Sequence, residues 1–139
     1  MAQGAQGVIC YHAEVTPGST STAIGEVVGW SGPAYSAGVI DITHLQSSVK
    51  EKITGVYDPG EISFDINFMG SGNVGQKSLR TSLISRVKSG IIIQLSTATT
   101  TQKIRCKGYI TGFSVQGAVD QVVKGSVTIA LSGPVTWTT

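Results

Sequence analysis

The sequence predicts a mainly β fold, a β-sandwich or barrel of about seven to eight strands with one flanking α-helix. Residues 60–68 alternate strictly, with Ile62, Phe64, Ile66 and Phe68 on one side and polar side chains on the other, which is the period of a strand with one buried face. A helical period appears in one segment, at about residues 74–89. The composition, with 18 glycines and 13% charged residues, favours short strands joined by turns. Runs of strands with a single helix are typical of a sheet structure on which that helix packs.

The chain has the size of a single domain, and we assign residues 1–139 to one. A net charge of +2 is too small to indicate a basic patch for nucleic acid. No apolar run approaches the roughly 20 residues of a membrane span, and the first residues lack the pattern of a signal peptide. We therefore expect a protein that is made and folded in a cytoplasm and has no membrane partner.

Short strands separated by turns are expected in the first half of the chain, at residues 8–15, 24–30 and 39–43. Residues 44–59 have no clean period and mix apolar with charged side chains, so they predict a long loop. Apolar residues in a loop need a partner surface. That surface is either the loop's own domain or a neighbouring molecule, and the pattern fits both.

The second half begins with the alternating strand and then changes period. Asn73 is a suitable N-cap for a helix over residues 74–89, and Gly90 suits the left-handed position that follows such a helix. Further strands are expected at residues 91–96, 102–115 and 121–132. In the middle one, the pattern changes phase at Gly108, which predicts a β-bulge or a sharp bend there.

Reactive chemistry is sparse. His12 and His44 are the only histidines, and a triad of His44, Asp41 and some serine has no supporting motif, so Asp41 is better explained as a brace for the loop after it. Residues 70–75 are rich in glycine but match no phosphate-binding pattern. Cys10 and Cys106 fit neither a zinc site nor a disulfide framework, so we expect reduced, buried thiols. The sequence predicts no enzyme, no catalytic residue, no metal and no cofactor.

Two strands carry charge on one face each. Glu61 and Asp65 lie on the polar side of the alternating strand, and Lys103, Arg105 and Lys107 lie on one side of the strand at residues 102–115. If the two strands are adjacent, the charges can pair across the sheet, each pair contributing about 0.2–1 kcal/mol. If they are not, the subunit has one acidic and one basic surface.

Three stretches of the chain resemble the tail tube (major tail) proteins of long-tailed bacteriophages, the lambda-like siphovirus tail tube family. The first is IGEVVGWSGP at residues 24–33 with VIDITH at 39–44. The second is KITGVYDPGEISF at residues 52–64, with Val56 where the family usually has leucine. The third is YITGF at residues 109–113 with VTIALSGP at 127–134. Their order and spacing agree with the family over residues 24–134.

The resemblance implies a non-enzymatic structural subunit of a tail-tube or type VI tube-like fold. Such subunits form stacked hexameric rings around a channel through which genomic DNA passes without sequence-specific binding. The implied partners are other copies of the chain, the tape measure, tail tip and terminator proteins, and the implied location is the virion tail, assembled in the host bacterial cytoplasm. An N-terminal arm at residues 1–22 and the loop at residues 44–59 would bridge subunits, which assigns Lys50, Lys52, Ile53 and Tyr57 to assembly.

A channel for DNA should not bind it, and contacts of Lys and Arg with phosphate dominate DNA affinity. We therefore expect a neutral or acidic channel lining made by Glu61, Ser63, Asp65 and Asn67. The rival lining is the basic face of Lys103, Arg105 and Lys107. Two other functions remain open: a tube of a type VI secretion-like or phage-derived particle, and a β-sandwich binding module, which would be a stable monomer with an aromatic groove.

Overall fold

The structure is a computed structural model that describes residues 9–14, 22–69, 72–96 and 101–138. Within those ranges it holds ten strands and one helix. In chain order these are β1 (Ile9–Glu14), β2 (Thr22–Ile24), β3 (Val27–Ser31), β4 (Ser36–Asp41), β5 (Lys52–Asp58), β6 (Glu61–Asn67), α1 (Val74–Ser85), β7 (Ser89–Ser96), β8 (Thr101–Gln116), β9 (Lys124–Leu131) and β10 (Thr136–Thr138). The predicted mainly β fold with one flanking helix is confirmed.

Eight of the strands form one antiparallel sheet in the order β2-β1-β7-β8-β9-β6-β3, with β10 added beside β8. The long strand β8 joins two halves of this sheet, because its first part pairs with β7 and its second part pairs with β9. Buried side chains from both halves belong to one hydrophobic cluster. The sheet therefore curls around a single core, and the outer faces of its two halves point away from each other.

The strand β6 lies at the centre of this core, as its alternation predicts. Ile62, Phe64 and Ile66 are completely buried, and Glu61 and Asp65 on the opposite face are exposed. Burying one such side chain stabilises the fold by about 1.5–3 kcal/mol. The one-sided pattern thus fixes both the register and the orientation of this strand.

Helix α1 begins as predicted and ends earlier. Asn73 is the N-cap, and its Oδ1 accepts a hydrogen bond from the backbone N–H of Gln76 at 2.9 Å. The prediction of a helix to residue 89 with Gly90 after it is wrong. The helix ends at Ser85, and Arg86 takes the left-handed position with φ 58°, where the N–H of Val87 bonds to the carbonyl of Ser82. Gly90 instead lies within β7.

Two strand predictions also need correction. The expected strand at residues 24–30 is broken by a turn at Gly25 and Glu26, because Glu26 adopts φ 53°, outside the strand region. In β8 the burial pattern continues through Gly108 to Ile110, and the bulge lies at Thr111, between the pairs Ile110–Ile129 and Gly112–Thr128. Gly108 is a glycine for another reason: a Cβ there would meet the carbonyl of Ala130 in β9.

The predicted long loop at residues 44–59 is largely a hairpin. Lys52–Asp58 forms β5, which pairs antiparallel with β4 as a separate two-stranded sheet. Sequence period could not reveal this strand, because neither of its faces is buried. We call this hairpin, residues 36–58, the arm.

The N-terminal segment is partly integrated into the subunit's own sheet. Within residues 1–22, the segment expected to be an N-terminal extension, β1 pairs with both β2 and β7, and Cys10 is buried in the core. Residues 1–8 and 15–21 of that segment lie outside the described residues. In the part of the chain that is described, no helix is long and apolar enough to cross a membrane.

Candidate functional site

Four strands present a continuous polar surface, which we call the polar face. It is the outer side of β3, β6, β9 and the second part of β8. The pairing register places Ser63 between Ser31 and Thr128, and Asp65 between Gly29 and Ser126. Its outward positions are Gly29 and Ser31 on β3, Glu61, Ser63, Asp65 and Asn67 on β6, Lys124, Ser126, Thr128 and Ala130 on β9, and Tyr109, Gly112, Ser114 and Gln116 on β8. All four residues expected to line a channel therefore lie on one surface.

The polar face is almost uncharged. Glu61 and Asp65 are its acids and Lys124 is its base, so its formal charge is about −1 with all three ionised. Hydroxyl groups dominate the remainder, and Ser31 Oγ and Ser63 Oγ share a hydrogen bond of 2.6 Å. A shallow hollow of about 360 Å³ lies on this face, with Asp65 and Lys124 at its border. Such a surface is hydrated and offers few cations to an anionic polymer.

The four-stranded unit that carries the polar face has an open edge at each border, one on β3 and one on the second part of β8. β3 pairs with β6 on one side and with no described strand on the other. β8 beyond Gly108 pairs with β9, and its opposite side has no described strand partner. The pairing of β7 with β8 extends only to Gly108, and β10 pairs only with Lys103–Arg105 of β8. Ser114, Val115 and Gln116 at the end of that edge are exposed. Each edge presents backbone N–H and C=O groups that can pair with another chain.

The basic residues occupy the other half of the sheet. Lys103, Arg105 and Lys107 lie on the first part of β8, opposite Gln94, Ile92 and Gly90 of β7. β9 lies between β6 and β8 in the sheet, so the acidic and basic strands are not adjacent. The subunit therefore has a weakly acidic surface and a separate basic surface, the second of the two possible arrangements.

The arm exposes apolar side chains that have no place in the subunit's own core. Val56 is 93% exposed and Leu45 at the tip is fully exposed. The residues expected in assembly, Lys50, Lys52, Ile53 and Tyr57, all lie on the arm and are exposed. Contiguous exposed apolar surface of this kind marks interaction sites. Of the two possible partner surfaces for these apolar residues, the subunit's own domain is excluded, because the arm does not fold back onto it. A neighbouring molecule remains.

The root of the arm is firmly held. Gly32 and Gly60 adopt φ 97° and 77°. A Cβ on Gly32 would meet the backbone of Glu61, and a Cβ on Gly60 would meet the carbonyl of Ala34. Tyr35 packs on Tyr57 with ring centroids 5.9 Å apart, and the indole N–H of Trp137 donates to Tyr35 Oη at 2.7 Å. The last strand, β10, is thus tied to the base of the arm. Sequence reasoning missed both β10 and this contact, although the β-favouring run Thr-Trp-Thr was a signal for the strand.

The tip of the arm is organised by local hydrogen bonds. Asp41 Oδ1 accepts from the N–H of Thr43 at 2.9 Å, and hydrogen bonding by the Thr43 side chain, together with this backbone bond, lowers the pKa of the Asp41 carboxyl. This confirms Asp41 as a brace for the turn. His44 Nε2 lies 3.8 Å from Glu51 Oε2, and its Nδ1 accepts from the N–H of Gln46. No described serine hydroxyl bonds to the imidazole, so these residues do not form a triad.

The described residues hold no other reactive constellation. They contain no group of three or more side chains able to hold a metal ion. Cys10 and Cys106 are free and buried, and desolvation raises the pKa of both thiols to about 12. Thiols in this state are poor nucleophiles.

A curled antiparallel sheet with two open edges, a near-neutral polar face and an apolar arm defines a class of protein, the self-assembling structural subunit. A family model described as phage tail tube, TTP, lambda-like, matches residues 1–139, so the chain belongs to this family. It is a structural subunit of a virion tail tube. The resemblance drawn from three sequence stretches is confirmed.

Solved structures agree on the fold. The chain matches a subunit in the tail of an empty gene transfer agent particle refined with C6 symmetry, with a TM-score of 0.77, 15% identity and coverage of 99% of this chain and 100% of that one. It matches the SPP1 tail tube with a TM-score of 0.68, 12% identity and coverage of 95% and 77%. A chain of the anti-feeding prophage baseplate gives 0.68, 10% identity and coverage of 99% and 97%. No curated protein matches the chain.

Proposed function

We propose that six copies of the chain close into a ring through the open edges of β3 and β8, and that these rings stack into a tube. One observation carries this proposal: the two open edges lie at opposite borders of a single four-stranded unit. Neighbouring strands in this unit run in alternate directions, so β8 of one copy meets β3 of the next antiparallel. The contact is head-to-tail, the type that closes a ring when the rotation allows it.

The dimensions of such a ring suit a conduit. Six four-stranded units give a barrel of about 24 strands, and strands lie about 4.8 Å apart. The circumference is then at least about 115 Å, which corresponds to a diameter of about 37 Å between opposite backbones, and strand tilt increases it. Barrels with fewer strands already enclose aqueous channels.

We assign the lining of this channel to the polar face, with Glu61, Ser63, Asp65 and Asn67 at its centre. The core lies on the other side of these strands, so closing the ring with the core outward turns the polar face inward. A near-neutral, slightly acidic lining does not retain DNA, since phosphate contacts by cations supply most nonspecific affinity. Lys103, Arg105 and Lys107 then lie away from the channel.

The arm makes contacts between copies in this arrangement. Its exposed apolar side chains, together with Lys50, Lys52, Ile53 and Tyr57, are buried against a neighbouring copy, and residues 1–22 add further contacts. Apolar surface removed from water contributes about 25 cal/mol per Å² before the costs of association. Burial of this apolar surface supplies the free energy of assembly in a chain with few charges.

The proposal includes no enzymatic activity, no metal and no cofactor. Membership of a structural family supports the absence of enzymatic activity. Partners beyond the chain itself are the tape measure, tail tip and terminator proteins, with genomic DNA in transit and no sequence-specific binding. Assembly takes place in the cytoplasm of the host bacterium.

A second setting for the same tube is a phage-derived particle. The matches to a gene transfer agent tail and to an anti-feeding prophage baseplate favour keeping it, since the fold serves in both. The neighbouring genes would separate a capsid-bearing particle from a capsid-free tube, because capsid and packaging genes accompany a DNA-carrying particle. A β-sandwich binding module is the remaining alternative and requires a monomer.

Negative-stain electron microscopy of the purified chain tests the proposal. We expect hollow rods or rings with sixfold end views at high protein concentration. Size-exclusion chromatography on the same sample should show species far larger than 14.4 kDa. Dispersed monomers at every protein concentration, with and without added sulfate, would contradict the proposal and favour the binding module.

A further inference from the structure

The two faces of the arm differ. The register pairs Ile40 with Ile53, and the N–H of Ile42 bonds to the carbonyl of Glu51, so these four side chains lie on one face. We call it the isoleucine face. On the opposite face Asp41 lies across from Lys52, and their charges offset each other. The isoleucine face therefore combines three apolar side chains with one carboxylate, whose Oε2 accepts from Ser47 Oγ at 3.3 Å and lies 3.8 Å from His44 Nε2.

The tip that continues this face has a defined shape. The N–H of Glu51 donates to Thr43 Oγ1 at 2.9 Å, and the N–H of Ser47 donates to the carbonyl of His44 at 2.9 Å. These bonds hold the turn that displays Leu45 fully in solvent. A segment shaped before binding loses little conformational entropy when it docks. The tip is thus suited to enter a groove.

A groove of about 550 Å³ lies on the basic half of the sheet, between β7, β8 and the C-terminal segment. Ile92 and Pro134 supply apolar lining, and Lys88, Arg105 and Lys107 lie around it. Within the described residues, none of these three cations has an acidic side chain at ion-pair distance. The chain's own arm does not fill the groove, because its isoleucines and Leu45 are all exposed.

We propose that this groove receives the arm of a second copy of the chain, with Leu45 and the isoleucine face against Ile92 and Pro134, and Glu51 facing the cations. Apolar surface meets apolar surface, and the Glu51 carboxylate, which lies beside His44 and Ser47 at its own tip, faces the cations of the partner. The inference rests on the proposed tube and adds to it where the arm of each subunit docks. It also gives the basic surface a role that does not involve DNA.

Cysteine cross-linking tests the docking in assembled material. The variant Leu45→Cys with Pro134→Cys is treated with a short bismaleimide, and the native thiols stay unreacted because burial raises the pKa of both to about 12. We expect a ladder of covalent oligomers beyond the dimer. Either single variant can give at most a dimer. The control pair Leu45→Cys with Ile84→Cys, on the exposed side of α1, should also give no ladder.

A charge exchange provides a second readout that does not depend on cross-linking geometry. We expect Glu51→Lys and Lys107→Glu each to lower the yield of tubes at least about tenfold, and the double variant to recover to within about threefold of the unaltered chain. Lys77→Glu, on the exposed side of α1, should leave the yield within about twofold.

The failures of the two proposals are distinguishable. If the unaltered chain forms no tubes, the proposed function is wrong. If it forms tubes, and the cysteine pair gives no ladder or the double charge variant is no better than its singles, the docking site is wrong and another occupant fills the groove.

Discussion

One buried glutamine joins three segments of the fold. The side chain of Gln76 in α1 donates to the carbonyls of Gly25 and Asn67 at 2.8 and 3.0 Å, and its Oε1 accepts from the N–H of Met69 at 3.0 Å. It thereby links the turn between β2 and β3 to the end of β6. Asn73 reinforces the link by accepting from the N–H of Gly25.

We expect Gln76→Leu to reduce the free energy of unfolding by about 2–4 kcal/mol. Leucine has a similar helix propensity, so the loss comes from two carbonyls and one N–H, in partly buried hydrogen bonds, that lose the Gln76 side chain as partner. Urea titration of the dispersed protein measures it. Lys77→Ala, at the exposed neighbouring position, should change the value by less than about 0.5 kcal/mol, and an equal effect of both substitutions would contradict this reasoning.

Two glycines in β8 should respond differently to the same substitution. At Gly108 a Cβ would meet the backbone of Ala130, so Gly108→Ala should cost about 2–4 kcal/mol by forcing β8 and β9 apart. At Gly112 the nearest atom, Thr128 Cβ, lies at an ordinary 3.7 Å, so Gly112→Ala should be near neutral. Thermal unfolding of the two variants gives the comparison, and similar melting temperatures would be the contrary result.

Residue roles were predictable where a local rule applies. Asn73 as N-cap, Asp41 as brace and the buried thiols follow from sequence alone. Gln76 does not, because a polar side chain on a helix normally faces water. Its partners are about 51 and 9 residues away along the chain, and only the fold brings them together.

At the scale of elements, burial decided which strands the sequence could reveal. β6 buries one face, and its alternation predicted it almost to the residue. The arm buries neither face, so the strand at its second half, Lys52–Asp58, reads as irregular. The acidic and basic strands were identified, but their separation depends on strand order, which sequence periodicity does not contain.

The open edge of β3 gives an element-scale prediction. Val28 lies in a bulge on that edge and is 62% exposed. We expect Val28→Lys to leave the free energy of unfolding within about 0.5 kcal/mol and to lower ring formation at least about tenfold, because a lysine on an edge strand opposes pairing with another chain. Sedimentation velocity measures assembly.

Ile84→Lys is the control for this edge. Ile84 is similarly exposed, but it lies on α1 and not on either edge strand. Rings that form normally with lysine at position 28 would show that β3 is not a ring contact.

For the whole molecule, the arrangement of charge matters more than its amount. The net charge of +2 is small, yet the sheet separates a slightly acidic polar face from a basic groove. In the proposed tube, the first surface meets DNA in transit and the second meets a neighbouring copy. Assembly therefore uses up the cations that would otherwise be available to bind phosphate.

We expect Asp65→Lys to leave tube assembly intact and to slow DNA release from particles at least several-fold. The substitution changes the polar face from a formal charge of about −1 to about +1 per subunit, which favours phosphate contacts. Time-resolved dye fluorescence of released DNA measures the rate, and added salt should restore it. Thr81→Lys on α1 should have no effect, and normal release by Asp65→Lys would argue against a channel position.

The even count of strands in the four-stranded unit has a geometrical consequence. Any number of copies can join without creating a parallel seam, so strand direction leaves the symmetry number undetermined. The symmetry number then depends on the angle that one four-stranded unit spans around the ring axis. A β-bulge lies in each of its border strands, at Val27–Gly29 and at Ile110–Gly112, and bulges increase local twist and bend. In the proposed ring, the extra residues Val28 and Thr111 contribute to the angle that each protomer spans, and we expect deletion of either one to change the number of protomers around the axis.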